Sequence, residues 1–318
     1  MRAQVNIGCI IKKMNKILTP AVTTCAFTKD LKIPRMKQLL VPTDFSTCAD
    51  NAIDFAVQSS KMFSLPITLV HAFDLRGDIY TDYMGINKEF NQSLLREIRT
   101  KIKGIKKNIE EKEGVVIDTF VSTASIKEGI FQVTTEKNID LIVMGTTGAS
   151  GIKEKIWGSR TASIIGKSNV PVLAIPTEYK WKKPVKILLA TNHFEKEPAM
   201  LDFLFELADL YGAQVHVAVF TDEVDDEALT FLEHARNIPG YEKLLRTKYQ
   251  DDTLTVNHLF GNNFEQALQD YIGQNKIDMV AMVSYKRKFP DSLFHPSITK
   301  KMAYHTKIPL LAIPVKHE

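Results

Sequence analysis

Slid along itself by 138 residues, the sequence meets itself again. Ile139, Asp140, Leu141, Ile142, Val143 and Met144 fall on Ile277, Asp278, Met279, Val280, Ala281 and Met282. Val170-Pro171-Val172-Leu173-Ala174-Ile175-Pro176 then falls on Ile308-Pro309-Leu310-Leu311-Ala312-Ile313-Pro314, with no gap between the two blocks. Upstream the offset widens to 149, where Lys37-Gln38-Leu39-Leu40 meets Lys186-Ile187-Leu188-Leu189. A unit that recurs in this way is one architecture built twice. Residues 36–176 and 185–318 are therefore expected to be diverged copies of one domain, each large enough to enclose a core. The joint is Thr177 to Pro184, a short segment rich in lysine and carrying Trp181.

Within the first copy, short β-branched runs alternate with longer amphipathic stretches. Lys37 to Val41 reads as a buried strand; Ala49, Ala52, Ile53, Ala56, Val57 and Phe63 follow at helical spacing, with Ser46 or Thr47 as N-cap. Ile67 to Phe73 is the second strand. Ile86, Phe90, Leu94, Ile98, Ile102, Ile105 and Ile109 mark a long helix that Gly114 stops. Then come a strand at Val115 to Val121, a helix at Lys127 to Lys137, a strand at Ile139 to Met144, a helix at Ser159 to Lys167 and a strand at Val170 to Ile175. Five strands alternating with four helices predict a parallel sheet covered on both faces. The fold class is α/β: two tandem Rossmann-like domains, each with a five-stranded parallel sheet.

Charge is unevenly spread. The net charge of the 318 residues is +4, but residues 1–35 hold seven Lys or Arg against one acid, Asp30, so the remainder is mildly acidic. A folded body of that balance, with no basic stripe, is not expected to bind nucleic acid. Three readings compete for the leader itself: a weak export signal, a basic disordered arm, or an over-extended start with Met36 as the working initiator. Two of the three cysteines, Cys9 and Cys25, lie in it. Cys48 alone in the body excludes a disulfide framework and points to a reducing, cytoplasmic setting. No run of 18 apolar residues occurs, so no membrane partner is expected.

Chemistry concentrates after the fourth strand. Met144 is followed by Gly145, Thr146, Thr147, Gly148, Ala149, Ser150 and Gly151, and beyond Trp157 by Gly158, Ser159 and Arg160 at the opening of a helix. Glycines let backbone approach a ligand closely and turn its N–H groups inward as an anion nest. The following helix start adds unpaired donors, Ser159 Oγ can donate to a phosphate, and Arg160 can pair with one. This is a phosphate site without a Walker lysine. In an open parallel sheet the ligand lies beyond the carboxyl ends of the strands, where strand order reverses. The turn Val41-Pro42-Thr43-Asp44-Phe45-Ser46 projects there. Asp44 can accept from an adenine amino group or a ribose hydroxyl; its competing role is helix capping. His71 and Ala72, ending the second strand, are placed to touch a base through backbone groups.

The Val-Pro-Thr-Asp-Phe-Ser turn, the long second helix, the Gly145-x2-Gly148-x9-Gly158-Ser159 loop and the closing Val-Pro-Val-Leu-Ala-Ile-Pro strand together resemble the universal stress protein family. The resemblance covers Met36 to Pro176 fully and Lys183 to Val315 in weaker form. It implies a tandem member, strand order 3-2-1-4-5 in each domain, and dimer-like packing of the domains through their last strands. It also implies ATP, or AMP or ADP, with or without Mg²⁺, held at Pro42, Thr43, Asp44, Ala72, Gly145, Gly148, Gly158, Ser159 and Arg160.

The second copy departs from this pattern. Gly145, Gly148 and Gly158 become Val283, Lys286 and Pro296, Ser159 becomes Ser297, and Asp44 becomes His193. Side chains now stand where backbone had to approach phosphate, so this half is expected to have lost the site and to serve as a structural or interaction partner. Lys286-Arg287-Lys288 and the acidic stretch Asp222 to Glu227 read as solvated connections. The expectation is a stress-response regulatory module that binds an adenine nucleotide and contacts an unidentified protein. It would be a pseudo-dimer within one chain, with further homodimerisation open. Two alternatives stand beside it: a slow ATPase or phosphotransferase, disfavoured because no evident base accompanies the loop, and a scaffold that works without nucleotide.

Overall fold

The computed structural model describes residues 36–73, 86–146, 159–192, 194, 198–223, 228–284 and 307–315, all within the unit Pro34–Glu318. The leader lies outside these residues. So do Thr147 to Gly158, His193, most of the acidic stretch, Lys286-Arg287-Lys288, Pro296 and Ser297.

The first half runs β1 (Leu39–Pro42), α1 (Thr47–Phe63), β2 (Ile67–Ala72), α2 (Ile86–Glu113), β3 (Ile117–Ser122), α3 (Ile126–Glu136), β4 (Leu141–Gly145), α4 (Ser159–Ile165) and β5 (Val172–Ile175). The second half runs β6 (Lys186–Thr191), a 3-10 turn (Pro198–Leu201), α5 (Asp202–Tyr211), β7 (Gln214–Asp222), α6 (Ala228–Tyr249), β8 (Thr255–Gly261), α7 (Phe264–Asn275), β9 (Met279–Ser284) and β10 (Leu310–Pro314). Helix ends follow the local chemistry. Ser46 caps α1 by accepting the Ala49 N–H, and Ser125 with Glu128 forms a reciprocal capping box on α3. Gly114, at φ +68°, ends α2.

All ten strands belong to one sheet, in the order β3-β2-β1-β4-β5-β10-β9-β6-β7-β8. Neighbours are parallel within each half, and the halves meet where β5 and β10 pair antiparallel through Leu310 with Ala174, Leu311 with Leu173 and Ala312 with Val172. Because side chains alternate across a strand, each strand feeds two cores. Leu39, Val41, Leu173, Leu189 and Leu311 face helices α1, α2, α5 and α6. Leu40, Ile142, Val172, Leu188 and Leu310 face α3, α4 and α7. Each core draws residues from both halves.

The repeat explains how the central strands begin. Lys37 and Gln38 donate their backbone N–H groups to Asp140 Oδ2, at 2.7 and 3.1 Å. Val185 and Lys186 donate theirs to Asp278 Oδ2, at 2.9 and 3.0 Å. The two aspartates that the 138-residue shift superposes thus do the same work. β1 starts at Leu39 rather than at Lys37, where the hydrophobic pattern places it. The joining segment is packed: Trp181 meets Phe55 edge-on at 4.8 Å, and Tyr179 lies 6.1 Å from the same ring.

Candidate functional site

β1 pairs with β2 through four residues, from Leu39 with Ile67 to Pro42 with Val70, but with β4 through two, Leu39 with Leu141 and Leu40 with Ile142. The pairing of β1 with β4 ends at Leu40, at the point where strand order reverses, which is where doubly wound sheets hold ligands. Pro42 suits that ending. It has no N–H to offer β4, and it stands where β4 is no longer a partner.

One wall of the crevice is the turn after β1. Thr43, buried, donates its N–H to Val70 O at 2.9 Å and accepts the Phe45 N–H on Oγ1 at 3.1 Å. Its carbonyl lies 2.8 Å from His71 Nδ1, so that ring nitrogen carries the proton. Phe45 holds a left-handed backbone conformation, φ 62°, that lays its ring on His71 at 4.5 Å. Lys101 Nζ, from α2, sits 4.6 Å from the centre of the Phe45 ring. Burial pushes the His71 pKa below its ordinary value, outweighing the hydrogen bond to Thr43 and the charge of Asp44, which act the other way. The imidazole is therefore neutral at pH 7. Asp44 is anchored by one oxygen, Oδ1, which accepts the Ser46 N–H at 3.1 Å. Its other oxygen lies 3.8 Å from an Arg160 guanidinium nitrogen.

The opposite wall is the end of β4. A Cβ on Gly145 would stand 2.5 Å from Cys48 Sγ and 2.8 Å from Cys48 O, so only glycine fits against α1 here. Thr161 Oγ1, buried in α4, donates to Gly145 O at 2.8 Å, and the Thr146 N–H reaches Ile175 O at 3.0 Å. These bonds fix the point from which the glycine loop departs and tie it to the helix on which the loop ends. Ala72 ends β2 beside Ser122; a Cβ on Gly129 of α3 would come within 2.9 Å of its methyl carbon.

Of the nine residues singled out by sequence, Pro42, Thr43, Asp44, Gly145 and Arg160 lie together at the carboxyl ends of β1 and β4, and Ala72 lies one strand away. Gly148 and Gly158 lie outside the described residues; Ser159 opens α4, with its side chain outside them. Thr161, Cys48, Phe45 and Lys101 complete the walls without having been singled out. A hydroxyl two places after Ser159 was a signal for Thr161. Lys101 reaches Phe45 from another element, and nothing in its neighbourhood announces that. The second half differs at the corresponding place. There β6 stays paired with β9 through four residues, from Ile187 with Met279 to Ala190 with Met282, and Val283 is buried opposite Ile313. The end of β7 is filled by Thr221, whose hydroxyl lies 2.7 Å from both His234 Nδ1 and His258 Nε2.

Among the described residues no helix is long and apolar enough to cross a membrane, and no cluster of three or more His, Cys, Asp or Glu side chains is placed to hold a metal ion.

A model of the universal stress protein family matches residues 36–176 and 185–314. A universal stress protein of Methanocaldococcus jannaschii is 30% identical over 153 residues, which are 44% of this chain and 94% of that protein. Another, from Bacillus subtilis, is 27% identical over 149 residues, 43% of this chain and 97% of that protein. The crystal structure of a universal stress protein from Archaeoglobus fulgidus superposes on 88% of this chain and 99% of its own, with a TM-score of 0.64 at 16% identity, a likeness of fold. The single-domain relatives thus span one half of this chain, and the Archaeoglobus protein spans both.

Proposed function

Because the chain belongs to the universal stress protein family, we propose that its first half binds an adenine nucleotide, ATP or else ADP or AMP, and that occupancy of this site governs a regulatory role in the stress response. The observation that carries the reading is the early end of pairing between β1 and β4, with Asp44 and Arg160 facing each other beyond it. Asp44 accepts a ribose hydroxyl or the adenine amino group. Backbone groups around Thr43 and Ala72 border the base, and Pro42 keeps β1 from closing on β4. Gly145 and Gly148 carry the loop past the phosphates, and Gly158, Ser159 and Arg160 close on them from the far end. Asp44 faces a cation, Arg160. A magnesium ion here would be held by the phosphates, with no protein cage of its own.

Binding rather than turnover is the reading the residues favour. Asp44 is committed to Ser46 and Arg160, and the neutral His71 ring spends its proton on Thr43 O. Neither is poised to activate a water at a terminal phosphate. The second half, its crevice paired shut and filled by side chains, acts as the structural partner of the first. A cytoplasmic setting is part of this reading and rests on the single, reduced cysteine of the body.

Isothermal titration of ATP into the full chain tests the proposal. The expected result is micromolar binding near one site per chain, abolished by Gly148→Val, which puts a β-branched side chain where phosphate must lie. Absence of binding by any adenine nucleotide below millimolar concentration would overturn it.

A further inference from the structure

The mildly acidic balance of the body, which left no basic stripe to be read from the sequence, conceals a local one on α2. Of the twelve residues from Arg96 to Lys107, six are cationic and one, Glu97, is acidic. Ile98, Ile102 and Ile109 fall on the buried side of the helix, and Lys101 turns to the Phe45 ring. At about 100° per residue, Arg96, Arg99, Lys103, Lys106 and Lys107 gather on the outer side within an arc of about 100°. Their neighbours stand three or four places apart, a spacing at which like charges weaken a helix. Lys106 and Lys107 are answered by Glu110 and Glu111, at 3.6 and 3.7 Å. The side chains of Arg96, Arg99 and Lys103 are exposed, and among the described residues no ion pair or hydrogen bond engages them. The fold does not call for this pattern: on α6, the counterpart in the second half, Arg246 and Lys248 are held by Glu242 at 2.7 Å and Asp202 at 2.8 Å. Gly104 is a second, independent feature of the same face. Glycine is unfavourable in a helix interior, yet a Cβ here would meet nothing within 4 Å, so no packing inside the chain keeps a side chain out. It adjoins Lys103, follows Thr100 by one turn and precedes Lys107, which leaves the surface beside the cations low enough for another backbone to approach.

We propose that the outer face of α2, from Arg96 to Lys107, is a docking surface for an acidic segment of a partner protein. Arg96, Arg99 and Lys103 pair with its carboxylates, and Gly104 admits its main chain. The inference does not depend on the nucleotide reading. The face itself selects among anions. At about 1.5 Å per residue the stripe is about 16 Å long, which an extended segment of about five residues covers. Glu97, Glu110 and Glu111 flank it and would repel a polyphosphate that ran on past it. None of the exposed residues from Arg96 to Lys107 is aromatic, to stack a base, or large and apolar, to enter a lipid surface.

The test is fluorescence anisotropy of a fluorescein-labelled peptide of five glutamates, titrated with the full chain at low salt, where exposed charges are least screened. The parent should bind it, and Arg99→Glu/Lys103→Glu should weaken binding by roughly 10-fold, since two attractions become two repulsions. Arg236→Glu/Lys243→Glu makes the same change in net charge at two exposed positions of α6 and should leave the affinity within about 3-fold. Gly104→Gln should raise the Tm, because a helix former replaces glycine, and yet lower the affinity; that combination separates docking from damage to the fold. Equal weakening by the two charge reversals, an affinity that Gly104→Gln leaves unchanged, or no saturable binding below millimolar concentration would overturn the inference. So would tighter binding to an oligodeoxythymidylate of equal charge or to phosphatidylserine vesicles, or a dimer of the chain that Arg99→Glu/Lys103→Glu dissolves, each of which assigns the face to another occupant.

Discussion

Gly145→Ala puts one methyl group into a corner with no room for it. The added carbon would stand 2.5 Å from Cys48 Sγ and 2.8 Å from Cys48 O. A sulfur on a short side chain has little freedom to withdraw, and the carbonyl belongs to the first turn of α1, which is pinned by the Ser46 cap. Overpacking of a tight interior costs about 1–3 kcal/mol and more where main chain must move. With one of the two clashes against backbone, about 3 kcal/mol is expected, or a fall of about 4–5 °C in Tm for a chain of this length. The double variant Cys48→Ala/Gly145→Ala isolates the sulfur. It removes the closer clash, leaves the carbonyl clash, and should show a favourable coupling of about 1 kcal/mol relative to the sum of the single changes. Thermal and urea unfolding followed by circular dichroism, on parent, both single variants and the double, provide the cycle. A Gly145→Ala protein within about 0.5 kcal/mol of the parent, or a coupling near zero, would refute the packing of β4 against α1. The same variant is a poor probe of ligand contact, since any loss of nucleotide affinity would follow from displacement of β4, and Gly148→Val is the sharper one.

Asp278→Asn should cost about 1–2 kcal/mol at pH 7 by weakening two backbone hydrogen bonds, with the exposed Lys182 adding little. Burial alone would raise the Asp278 pKa, but Lys182 and the N–H groups of Val185 and Lys186 outweigh it and hold the carboxyl below its ordinary value. Its stabilisation is therefore complete above about pH 4 and disappears as pH falls through the depressed folded pKa; parent and variant should converge in acid, and a difference that stayed constant with pH would be inconsistent with this. Trp181→Ala should cost about 2 kcal/mol by stripping the edge contact on Phe55. Because each core draws on both halves, the parent should unfold in one calorimetric transition; two resolved transitions would contradict the shared cores.

Much of the architecture was open to a reading of the sequence, and the exceptions have physical reasons. Ala49, Ala52, Ile53, Ala56 and Phe63 mark the buried face of α1 without ambiguity, and Ser46 caps it. The internal match paired Asp140 with Asp278 before either had a role. What hydropathy could not show is that these carboxylates take the first N–H groups of β1 and β6, because a hydrogen bond to an acid a hundred residues away leaves no mark in local periodicity. Phe45 at φ 62° was equally hidden, since nothing about a phenylalanine announces a left-handed backbone. At the crevice the loop glycines were conspicuous, yet Gly145 has a packing reason of its own in Cys48, a distinction that spacing alone does not draw. The pairing of β1 with β4 ends at Leu40, two residues before Pro42, which local periodicity does not show.

The antiparallel seam between β5 and β10 joins two similar edges within one covalent chain. A contact made this way does not dissolve on dilution, because the effective concentration of each edge for the other is set by the eight residues between Pro176 and Val185. It also breaks a symmetry. In an assembly of identical subunits every substitution is written twice, and a change that shuts one crevice shuts both. Here each position is written once, so Val283 can fill its corner while Gly145 keeps its own clear, and one side of the seam is free to drift as long as the edge it presents still fits.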